Sequence, residues 1–291
     1  MGRPVLILGL LALSLRIAWG VNAWAAPPAV APARTHCLSC HRPHYPTRGG
    51  CVSCHRGNAA TDRKQVAHAG LLPAAFVRFT LPGDPEVARG RDLMERSGCR
   101  RCHITKGAGT RLAADLDRLY TAPPGRIRDA ISVPAASMPD FRFSEDSIRS
   151  LVNALYANGG LRGGSMRRAA EIPLKVHFNE DSSEAAMPPF SKYCGGCHRA
   201  LTEKSGGLGH GSIGPNLSGL FTPFHPGRPG ADQRWTPEAL ARWVVNPRAL
   251  RPRALMPPVL IPAEAFPALA DSLRTSGYAT GNDIHAFSPA P

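Results

Sequence analysis

Apolar positions recur with helical spacing in several stretches, and start signals flank most of them. Pro85 can open a helix over 85–97, with Val87, Leu93 and Met94 facing inward. Residues 144–157 begin with serines and acidic side chains, as a helix start should. Behind them Ile148, Leu151, Val152 and Leu155 form one stripe. Thr236 and Pro237 supply a cap and a first-turn proline for a helix running to Val245, and residues 263–275 supply a closing helix. A further short helix fits between Asp62 and Leu72. Together they predict a mainly α chain.

The N-terminus follows another pattern. Residues 5–15 are continuously apolar, Arg3 precedes them, and Ala23-Trp24-Ala25 offers a small-x-small cleavage site. This reads as a secretory signal over residues 1–25, with an uncleaved anchor as the alternative. The apolar run is shorter than the roughly 20 residues that a spanning helix needs. The mature chain is therefore expected in the periplasm.

Breaks in the pattern divide the rest. Residues 36–80 carry too few apolar side chains for an ordinary core. Pro82-Gly83-Asp84-Pro85 reads as a linker to a segment over 85–160, and the glycine-rich run 158–164 as a linker to a segment over 172–286.

Cysteine usage sets the chemistry. All eight Cys fall in four Cys-x-x-Cys-His frames: Cys37–Cys40–His41, Cys51–Cys54–His55, Cys99–Cys102–His103 and Cys194–Cys197–His198. This is the attachment signature of c-type haem. Two thiols on one helical turn can both reach the vinyl groups of one porphyrin, and the next residue then offers its imidazole to the iron. Zinc sites or disulfides could use the cysteine pairs, but neither requires a His after every one. The expected cofactors are four covalently attached haem c groups. Residues 36–80 would hold two of them, with the porphyrins serving as that segment's core.

Haem also revises the charge. The formal value of +14 loses Arg3 and Arg16 with the leader and gains the eight propionates of four haems, leaving about +4. The arginines then read as propionate partners or as a rim for acidic redox partners. Nucleic acid is not an expected partner.

The last two segments, called third and fourth after the haem frames they carry, share one plan: a short helix, a haem frame, a looping middle, a Met-Pro and a closing helix. On these residues they resemble class I cytochrome c domains. The fourth frame is followed by Gly214-Pro215-Asn216-Leu217, Trp235-Thr236 and Leu255-Met256-Pro257. The resemblance implies that the Pro215 carbonyl accepts from the His198 ring and that Met256 is the sixth iron ligand. In the third segment Gly90 stands where helices cross closely, and Ser137-Met138-Pro139 implies Met138 as ligand. That segment lacks Gly-Pro-Asn-Leu, so its proximal hydrogen bond has no assigned acceptor. Met187-Pro188-Pro189 shortens the fourth segment's first helix. The N-terminal pair looks like bis-His multihaem cytochromes, and the whole arrangement is similar to cytochromes associated with selenite or tellurite reduction operons.

His36, His44 and His68 compete for the sixth positions of the first two haems. His68 is the first choice. His44 is preferred over His36; neither can easily reach the far side of its own haem, but His44 could ligate the neighbouring one. Met94 reads as core, and Glu145 and Asp146 as helix-start charges. With His44, His68, Met138 and Met256 in place every iron is closed, which points to electron transfer between redox proteins rather than catalysis. A haem enzyme with one open or gated iron is the rival. Association with a membrane electron-transfer complex is a third possibility.

Overall fold

The computed structural model describes residues 35–135, 137–160, 187–230 and 233–280. The leader, Met166, His177 and His285 lie outside them. In chain order the helices are α1 (Cys51–His55), α2 (Lys64–Ala67), α3 (Pro85–Arg96), α4 (Pro124–Ser132), α5 (Glu145–Gly160), α6 (Pro189–Tyr193), α7 (Pro237–Val245), α8 (Pro247–Leu250) and α9 (Phe266–Ser272). The strands are β1 (Ile104–Thr105), β2 (Ala108–Thr110), β3 (Ala200–Thr202), β4 (Gly206–Leu208) and β5 (Tyr278–Thr280). The described chain is thus helix-rich with few strands, compatible with a mainly α cytochrome c fold. No helix among the described residues is long and apolar enough to cross a membrane.

One core is built on α3 crossing α5. Asp84 caps α3 by accepting from the Glu86 amide (2.9 Å), and Pro85 sits in its first turn. The expected linker therefore ends as a helix cap. Gly90 is where the helices touch: a Cβ there would lie 2.0 Å from the Ser150 carbonyl oxygen. Met94, Ile148, Leu151, Val152, Leu155 and Tyr156 fill the core. A second core gathers Phe190, Leu220, Leu240, Val244 and Leu269 around the fourth frame. There α6 is only five residues long, as its prolines predict. Thr236 caps α7 by accepting from the Ala239 amide (3.1 Å).

The N-terminal segment is different. Among described residues 35–71 none is buried. The expected helix between Asp62 and Leu72 shrinks to α2, because Gly70 turns the chain at φ +70°. Leu72 then enters the α3/α5 core at 2% exposure, with Phe76, Val77 and Phe79 packed beside it. Asn153 on α5 fixes this stretch, donating to the Ala75 carbonyl (2.8 Å) and accepting from the Phe79 amide (3.2 Å). Residues 72–80 thus pack with the third segment.

Buried Glu86 ties α3 to α5. It accepts from Ser150 Oγ (2.9 Å) and Arg149 Nε (3.1 Å), and pairs with Arg89. Burial works to raise its pKa, but the hydrogen bonds from Ser150 and Arg149 and the Arg149 charge together hold it below the ordinary carboxylate value. Its stabilisation is therefore complete above the unfolded carboxylate pKa and lost as pH falls through the lowered folded value. Glu86→Ala should cost about 1–3 kcal/mol at neutral pH. Urea titrations should show the gap to the parent chain closing as the pH is taken below the carboxylate range. A gap independent of pH would contradict this account.

Candidate haem sites

Each Cys-x-x-Cys-His frame folds as a turn that brings its two Cys and its His together. The His41, His103 and His198 amides donate back to the carbonyls of Cys37 (2.9 Å), Cys99 (3.0 Å) and Cys194 (2.9 Å), and the second frame is itself α1. Burial pushes the Cys99 and Cys194 thiols up to about 11 in each case.

Three frame histidines have their second ring nitrogen tied down. Nδ1 lies 3.0 Å from the Leu72 carbonyl in His55, 2.7 Å from the Ala114 carbonyl in His103 and 2.7 Å from the Pro215 carbonyl in His198. A carbonyl can only accept, so Nδ1 is the donor, and Nε2 is left without a proton as a metal-binding nitrogen. Pro215 is the acceptor that the class I resemblance implies. Ala114 fills the role left unassigned in the third segment. Desolvation lowers the basicity of His103 further, against the opposing effects of its Ala114 bond and nearby Asp115.

The third and fourth sites repeat one construction. A two-stranded hairpin follows each frame, β1–β2 and β3–β4, and a glycine in or just after its second strand packs on the histidine carbonyl. A Cβ on Gly109 would lie 2.0 Å from His103 O, and one on Gly209 would lie 2.2 Å from His198 O. Gly214 has a separate duty: its absent side chain leaves the space that the His198 ring fills, within 2.2 Å of where a Cβ would stand.

The N-terminal site brings four imidazoles together in two pairs. The His41 and His68 ring centres are 6.0 Å apart with planes at 80°, and those of His44 and His55 are 5.7 Å apart at 23°. A metal–imidazole bond is about 2 Å, so two imidazoles on one metal put their ring centres about 6 Å apart. The pairs are crossed: His44 follows the first frame but faces the second frame's His55, while His68 follows the second frame and faces His41. His36 is in neither pair.

At the fourth site Met256 Sδ accepts from Trp243 Nε1 (3.0 Å). Met138 is half-buried on its Met-Pro loop. Met94 lies in the core. Two buried nitrogens, His225 Nε2 and Trp235 Nε1, have no protein partner. The bond from His225 Nδ1 to the Gly227 carbonyl (3.2 Å) leaves that Nε2 as an acceptor, whereas Trp235 Nε1, in the core around the fourth frame, is a donor that is costly to bury unless something accepts from it. A haem carboxylate is a group of the right kind, so the residues present fit the cofactor. Nothing in the sequence pattern singled out Trp235 as an orphan donor.

A comparison with protein families identifies one part of this architecture. Residues 85–153 match the family described as cytochrome C oxidase, cbb3-type, subunit III. The segment is similar to a cytochrome c domain, which supports a c-type cytochrome that binds haem c covalently and transfers electrons through it. No curated protein and no solved structure matches the chain.

Within this segment the third frame and His103 would hold the haem. Cys102→Ala should remove one thioether, and Cys99→Ala/Cys102→Ala should leave the purified chain lighter by one haem. Intact-mass spectrometry under denaturing conditions checks this. Full haem content in the double variant would contradict it.

Proposed function

We propose that the chain is a periplasmic tetrahaem c-type cytochrome that relays electrons between redox protein partners. The two imidazole pairs carry this reading, because spacings of 6.0 and 5.7 Å suit two histidines sharing one iron. Haem c, when bound, supplies a one-electron couple that needs no bond to substrate.

His41 and His68 would close the first iron, and His55 and His44 the second. His103 and Met138 would close the third, and His198 and Met256 the fourth. A histidine or thioether on each face excludes substrate, which favours electron transfer over a peroxidase or an oxyanion reductase. Met in place of His raises a reduction potential. Trp243 adds to this at the fourth site by donating to the sulfur. Electrons would then run from the N-terminal pair toward the two Met-bearing domains. The kinship of residues 85–153 with an oxidase subunit supports a membrane oxidoreductase complex as one partner.

Carbon monoxide tests the closed irons directly. Added to the dithionite-reduced holoprotein, it should leave the Soret band unchanged; a shift worth one haem would overturn the reading in favour of an open site. The crossed pairing has its own signature. Imidazole planes at 80° should give the ferric first haem a strongly anisotropic EPR signal, and planes at 23° should give the second an ordinary rhombic one. His68→Ala should remove the first signal and His44→Ala the second, each variant gaining one carbon monoxide site. The opposite assignment would contradict the crossing.

A further inference from the structure

The third frame is packed into the fourth domain. Arg101, between the two cysteines of that frame, is 7% exposed and donates through Nη1 to the Asn216 carbonyl (3.1 Å). Cys102 shares a small cluster with Leu201 of β3. A Cβ on Gly98 would meet the Pro226 ring at 2.9 Å, and one on Gly219 would meet the Arg101 carbonyl at 2.5 Å. Strand β5 completes the contact by pairing antiparallel with β2.

Asn216 stands at the centre of this contact. Its peptide group follows Pro215, whose carbonyl holds His198. Its side-chain oxygen accepts from the Ser218 amide (3.0 Å), which fixes the rotamer. Its side-chain Nδ2 then reaches across to donate to the Ser137 carbonyl (2.9 Å), next in sequence to Met138. A short Met-Pro loop with little helix to anchor it is thus held from the neighbouring domain.

We propose that Asn216 is a positioning residue for the third iron: it keeps Met138 in place from the domain that carries the fourth haem. The inference rests on Met138 being a ligand. Its consequence is that disturbing the loop on the proximal side of the fourth site loosens the distal ligand of the third.

Asn216→Asp isolates the bond. The carboxylate keeps an oxygen for the Ser218 amide, but where Nδ2 donated it places an oxygen that repels the Ser137 carbonyl. The readout is the far-red sulfur-to-iron charge-transfer band of the ferric holoprotein, to which two Met-ligated haems contribute. Asn216→Asp should lose about half of this band and gain one carbon monoxide site on reduction, and Asn216→Asp/Met256→Ala should lose all of it. A full band in Asn216→Asp, or half a band surviving in the double variant, would overturn the proposal. Met138→Ala separates the two readings. Loss of half its band upholds Met138 as ligand, so that failure of Asn216→Asp is failure of the clamp alone; a full band there overturns the ligand assignment and the clamp with it.

Discussion

An imidazole presents one nitrogen to a metal in a set orientation when its other nitrogen is fixed. In this chain the fixing groups are backbone carbonyls at Leu72, Ala114 and Pro215, each well downstream of the histidine it serves. A carbonyl cannot be aimed by rotating a side chain. The loop that carries it must be placed, and the packing of the molecule does the placing. Leu72 shows how. Its carbonyl holds His55, its amide returns a bond to the His55 carbonyl (2.7 Å), and its side chain is sunk in the α3/α5 core. The second frame is therefore referenced to a well-packed helix pair, although its own segment buries nothing among the described residues 35–71.

The same logic joins the last two segments. The loop that supplies Pro215 to His198 also supplies the Asn216 carbonyl to Arg101 and backs against the third frame. Burial holds the Arg101 guanidinium below its ordinary pKa. A buried cation of this kind is expensive unless its hydrogen bonds are made, which argues for a specific contact between the domains rather than incidental touching. The third frame is thereby held against the strand and loops that follow the fourth frame.

Much of this was legible in the sequence, and the exceptions share a cause. The spacing of the frames, the Thr236 cap and the stripe Ile148–Leu151–Val152–Leu155 are local signals, and the structure bears out the helices they predict. Gly90 and Pro215 were readable through resemblance to class I domains. What escaped was non-local. Ala114 acts through its backbone, so no side chain announces it. Leu72 looked like the end of a helix in its own segment, yet it packs elsewhere. Pairing of β5 with β2 joins positions 168 to 172 residues apart and the bond from Asn216 to Ser137 positions 79 apart, and neither has a periodic signature. Arg101 looked like one more surface arginine until the fourth domain covered it.

The central claim is a count of ligand pairs: two histidine–histidine and two histidine–methionine irons, none open. Near-infrared magnetic circular dichroism of the fully oxidised holoprotein measures this most directly, because the energy of the charge-transfer band identifies each pair. The account predicts equal intensities for the two low-spin types. A high-spin component, or a spectrum without the methionine-ligated type, would contradict it.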